Sequence, residues 1–127
     1  ANAKRYDEGL RGITQITIPP RNSAVKHVYH LYQVEVEQRD ELIGYLNRHG
    51  IEAKVHYPIP LHLQPGLAFL GYKKGDFPRA EYFADRHVSL PIHQFLREDQ
   101  IDYTIKAIIS FYYWDPSLSR PPAPGIE

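Results

Sequence analysis

YHLYQVEVEQRDELIGYLNRHGIEAKV, residues 29–55, changes its period halfway along. Before Gln38 apolar and polar residues alternate, the signature of a half-buried strand. Extended back to His27, the alternation predicts a strand over 27–37. Val28, His30, Tyr32, Val34 and Val36 share its core face, and Gln33, Glu35 and Glu37 share a wet one. From Arg39 the pattern becomes helical. Asp40 and Glu41 suit the N-terminal dipole, Leu42, Ile43 and Leu46 make a buried stripe, and Gly50 fits the residue just past the end. Residues 51–55 can form a second strand.

The flanks extend this alternation of types. Residues 1–12 read as a helix with Ala3, Tyr6 and Leu10 on one stripe, Gly12 as its stop and no cap at its start. It therefore reads as the end of a helix begun upstream. Residues 13–20, ITQITIPP, read as a short strand ended by two prolines. A short helix is expected near Pro65–Leu70. Another, capped by Asp76 with Pro78 in its first turn, turns Ala80, Phe83, Ala84 and His87 inward. VSLPI, 88–92, is extended. A last helix over about 98–112 buries Ile101, Ile105, Ile108 and Tyr112; Arg97 is a poor cap for it, so its start is expected to fray. Residues 114–127 are proline-rich and aperiodic, which predicts a disordered tail. Strands and helices mix without regular βαβ alternation, which predicts an α+β fold with a small antiparallel sheet.

Composition narrows the function. Fifteen basic and fifteen acidic side chains cancel, so net charge makes no case for nucleic acid or a membrane surface. No run of 18 apolar residues exists to span a bilayer. Cysteine is absent, which excludes disulfides, zinc thiolates and thiol catalysis. The serines lack a nucleophile-elbow context, and the glycines form no phosphate loop.

One loop stands out: HYPIPLHLQP, residues 56–65. Three prolines fix φ and stiffen it, so its side chains lose little freedom on binding. His56, Tyr57 and His62 offer neutral donors and acceptors suited to hydroxyls and phosphates. The competing reading is a rigid turn packed on the core. A metal on His56, His62 and His93 lacks the carboxylate or thiolate and the spacing of known sites. His27 and His30 lie on opposite faces of the expected strand, so they cannot chelate jointly, and His30 is expected to be partly buried and hydrogen-bonded.

The run from YHLY through HYPIPLHLQP, followed by LGYKKGDFPRAEYFADRHVSLPIHQFLREDQIDYTIKAI, resembles the C-terminal part of the DegT/DnrJ/EryC1/StrS aminotransferases over roughly residues 1–113. That resemblance implies a pyridoxal-phosphate enzyme of the aspartate aminotransferase fold that transfers an amino group, from a donor such as glutamate, to a nucleotide-linked keto-sugar. It implies residues 1–20 as the end of an interdomain helix and a short strand, and 21–113 as the small C-terminal domain. It also implies a homodimer in the cytoplasm, with the cofactor held by a large N-terminal domain. By the same resemblance His56 and Tyr57, and then His62, contact the sugar nucleotide. The family's Schiff-base lysine lies in a Ser-His-x-Lys motif that this sequence lacks, so the chain alone is expected to be inactive. The rival reading is a stand-alone binding or interaction module without catalysis.

Overall fold

The computed structural model describes residues 2–113. The tail expected at 114–127 lies outside the described residues. The chain runs α1 (Asn2–Leu10), β1 (Ile16–Thr17), β2 (Tyr32–Val36), α2 (Arg39–Arg48), two 3-10 turns (Leu61–Leu63 and Pro65–Leu70), α3 (Pro78–Arg86), β3 (His87–Leu90) and α4 (Glu98–Tyr113). The strands form one antiparallel sheet in the order β1-β2-β3, with Ile16 opposite Val36 and Val34 opposite Val88. This is the α+β architecture expected from the alternation.

One face of the sheet carries the core. Tyr32, Val34 and Val36 of β2 and Val88 and Leu90 of β3 are buried against Tyr6 and Leu10 of α1, Leu42 and Leu46 of α2, and Ile101, Ile105 and Ile108 of α4. Each helix contributes its apolar stripe, so burial rather than propensity fixes the arrangement. The rings of Tyr6 and Tyr32 stack at 4.8 Å, and the Tyr6 hydroxyl donates to the Pro91 carbonyl at 3.0 Å. Burial pushes the Tyr6 phenol up to about 12. Arg5 joins α1 to α4 through a two-pronged contact with Asp102, at 2.7 and 2.8 Å.

Several expectations need correction. The strand predicted over 27–37 pairs only over Tyr32–Val36. Tyr29 takes a left-handed backbone, φ 51°, which interrupts the alternation; Val28 is 84% exposed and His30 is exposed. The alternation reads side-chain type and cannot see that β1 and β3 offer no partner beyond Tyr32. Residues 51–55 make one bridge, Lys54 to Ser89, rather than a strand. Asp76 does not cap α3: its carboxylate accepts from the Lys73 N–H at 2.9 Å and closes the preceding turn. Ala80 is exposed, while Ala84 is buried. Arg97 does not leave the start of α4 bare, because the Gln100 side chain reaches back to its N–H at 3.0 Å. Gln33 is not simply wet, as its contacts below show.

Candidate functional site

The second sheet face is where the stiff loop settles. Alternation sends Gln33 of β2 and Ser89 of β3 to the side opposite the core, and they are direct cross-strand partners. Ser89 is held again from its other flank, exchanging backbone bonds with Lys54 at 2.8 and 3.2 Å. That bridge delivers the chain into the loop at His56, over the Gln33–Ser89 pair.

His56 Nδ1 lies 2.9 Å from Ser89 Oγ. Gln33 Nε2 donates to the His56 carbonyl at 3.3 Å and to Ser89 Oγ at 3.2 Å. The His56 backbone and ring are thus both tied to the sheet. Tyr57, next along, sets its ring edge-on to that of His56 at 6.2 Å and is 77% exposed. Between this loop and α3 lies a cleft of about 210 Å³. His56, Tyr57 and Gln64 stand on its loop side, and Phe83 and His87 on the far side. Desolvation depresses the His87 pKa, with Arg39 adding to the effect against Glu35, so the ring favours its neutral form. The cleft therefore offers neutral polar groups on largely apolar walls.

His62 is elsewhere. It is 8% exposed and does not line the cleft. Its Nε2 meets Glu81 Oε1 at 3.0 Å, and its ring packs on Phe77 at 4.8 Å. Glu81 also accepts from the Gly75 N–H at 2.8 Å. Gly75 has φ 98°, a backbone that favours glycine. The Gly75 bond first, then His62, hold the Glu81 carboxyl below its ordinary value. This contact clasps the far end of the loop to α3. The structure therefore brings two of the three expected site residues, His56 and Tyr57, to one cleft and sets His62 apart from them.

Gln33, Ser89, Glu81 and His87 were missed by sequence reasoning. The signal was faint: Gln33 is the uncharged member of an otherwise acidic strand face, and Ser89 is the polar residue within an apolar run. Ser89 is buried and its oxygen already accepts from Gln33, which suits a support rather than an exposed nucleophile. Among the described residues no three His, Cys, Asp or Glu side chains stand close enough to hold a metal ion. No described helix is long and apolar enough to cross a membrane.

The small three-stranded antiparallel sheet with its helices has its structural neighbours among aminotransferases of fold type I. DesV of S. venezuelae superposes with a TM-score of 0.84 at 38% identity, over 88% of this chain and 30% of that one. A DegT DnrJ EryC1 StrS aminotransferase from Brucella abortus gives 0.77 at 32%, over 88% and 30%. The sequence profile of the DegT/DnrJ/EryC1/StrS aminotransferase family matches residues 1–109, and the chain belongs to that family. A dTDP-3-amino-3,4,6-trideoxy-alpha-D-glucose transaminase of Streptomyces venezuelae is 40% identical over 85% of this chain and 28% of its own length. A protein named pleiotropic regulatory protein, from Geobacillus stearothermophilus, is 46% identical over 68% and 23%. The chain thus spans less than a third of these relatives and corresponds to their C-terminal part.

The family is in general dependent on pyridoxal phosphate. The described residues do not fit a site for it. Lys4, Lys26, Lys54, Lys73, Lys74 and Lys106 are all exposed, and no lysine or arginine lines the cleft to meet an amine-reactive carbonyl or a phosphate.

Proposed function

We propose that this chain is the substrate-contacting C-terminal part of an aminotransferase that moves an amino group, from a donor such as glutamate, onto a nucleotide-linked keto-sugar. The observation that carries this reading is the cleft between the loop and α3, where His56 is fixed by its sheet contacts and Tyr57 is exposed. Neutral hydrogen-bonding groups on apolar walls suit a sugar, whose faces are apolar and whose rim is polar. His62 serves the site indirectly, by clasping the loop to α3 through Glu81.

Pyridoxal phosphate belongs to the large N-terminal domain of the whole enzyme, and the 127 residues alone are inactive. In this reading residues 1–20 are the end of the interdomain helix and a short strand, and 21–113 are the small domain. The whole enzyme is a cytoplasmic homodimer. Tyr57, Leu61 and Phe69 are strongly exposed, an apolar surface of the kind that another domain or subunit covers.

The test is His56→Ala in the whole aminotransferase. The expected result is a raised KM for the sugar nucleotide or a lowered kcat with it. Unchanged kinetics would remove His56 from the site.

A further inference from the structure

We propose that Gln33 and Ser89 act as positioning residues that fix the tautomer of His56, so that its neutral ring presents an N–H at Nε2 to an acceptor oxygen of the bound sugar nucleotide. This rests on the reading above for the ligand, but the tautomer itself follows from the hydrogen bonds alone.

The orientation of the Gln33 amide is fixed first. Its nitrogen lies 3.3 Å from the His56 carbonyl oxygen, which can only accept, so the NH2 group must face that way. The same nitrogen lies 3.2 Å from Ser89 Oγ, so Gln33 donates there too. Ser89 has one hydroxyl proton, and Gln33 nitrogen cannot accept it. Among the described residues the remaining partner of Oγ is His56 Nδ1, at 2.9 Å. Ser89 therefore donates to Nδ1. A neutral imidazole that accepts at Nδ1 carries its proton at Nε2. The opposite tautomer would point two donors at Ser89 and leave the proton of a buried hydroxyl without an acceptor.

The consequence is chemical. In this state His56 cannot take a proton at Nε2 and so is not a general base there. It is a fixed donor, suited to a phosphoryl, carbonyl or hydroxyl oxygen. The relay also accounts for an uncharged residue at Gln33, opposite Ser89: a carboxylate in its place would reverse the chain of donors.

That reversal is the test. The full chain, labelled with nitrogen-15 histidine, is observed by long-range proton–nitrogen NMR above the titration of the ring. Wild type is expected to show His56 bare at Nδ1 and protonated at Nε2. In Gln33→Glu the carboxylate, which cannot face the His56 carbonyl, turns an oxygen to accept the Ser89 proton, Oγ becomes an acceptor, and the His56 proton moves to Nδ1. In Ser89→Ala the hydrogen-bond signature at Nδ1 disappears. A wild-type ring protonated at Nδ1, or a Gln33→Glu ring still protonated at Nε2, overturns the proposal. In the whole aminotransferase, Gln33→Glu is expected to raise the sugar-nucleotide KM roughly tenfold, the loss of one hydrogen bond of ordinary strength. If His56→Ala raises that KM while Gln33→Glu moves neither KM nor tautomer, the relay fails and the functional reading stands. If His56→Ala changes nothing, the functional reading fails, and the NMR result alone judges the relay.

Discussion

Gly9 sits where α1 packs on α4, and a methyl group built on it would meet Ile105 Cδ1 at 2.5 Å, Cγ2 at 3.0 Å and Cγ1 at 3.1 Å. Two effects oppose each other in Gly9→Ala. Replacing a helical glycine gains up to about 1 kcal/mol of helix propensity. Forcing an extra methyl into a packed contact costs about 1–3 kcal/mol. The nearest atom is a chain end that can swing away, but Ile105 is β-branched and buried, so its two γ carbons have little room to follow. The overlap should win, leaving Gly9→Ala destabilised by about 1 kcal/mol. Ile105→Ala removes all three contacts and by itself costs about 2–5 kcal/mol. In that background Gly9→Ala should be nearly neutral or stabilising, a coupling of about 1 kcal/mol. Urea denaturation followed by circular dichroism gives all four corners of the cycle. If Gly9→Ala stabilises the parent chain by the full propensity gain, α1 does not lie on α4 as described.

The clasp and the cleft make predictions about pH. Glu81 has a folded pKa below its ordinary value of 4.5, because Gly75 and then His62 favour the carboxylate. Its contribution is therefore complete above 4.5 and is lost as pH falls through the lower folded value. Hydrogen exchange of residues 61–64 should accelerate in that acid window, and Glu81→Gln should remove the dependence; an unchanged acid profile in the variant would mean that the clasp does not hold the loop. His87 is depressed below 6.5, chiefly by burial. The unfolded chain then binds its proton more readily, so stability should fall as pH drops from 6.5 through the folded value, and His87→Gln should flatten that slope in a series of melting curves. An unaltered slope would place the His87 ring in water.

The architecture was largely legible because each main helix carries its own stripe. Tyr6 and Leu10, Leu42 and Leu46, and Ile101, Ile105 and Ile108 were all expected in the core and are buried there. What stayed hidden depends on partners distant in sequence. Alternation alone extended β2 back to His27, since it carries no record of how short β1 and β3 are. Asp76 has the chemistry of a cap, but the Lys73 amide competes for the same carboxylate. The loop drew attention through its prolines, and His56 and Tyr57 do reach one cleft. His62 was expected after His56 and Tyr57 as a contact, and the approach of Glu81 from α3 is what sets it apart from them. Gln33 and Ser89 could not be linked to His56 by any spacing, because the register of β2 on β3 is what joins them.

The most direct measurement is a crystal structure of the whole aminotransferase with a nucleotide-linked sugar bound. The expected result places polar atoms of the ligand about 3 Å from His56 Nε2 and the Tyr57 hydroxyl, with His62 still on Glu81. A ligand bound away from the loop, with His56 and Tyr57 turned to solvent, would contradict the assignment.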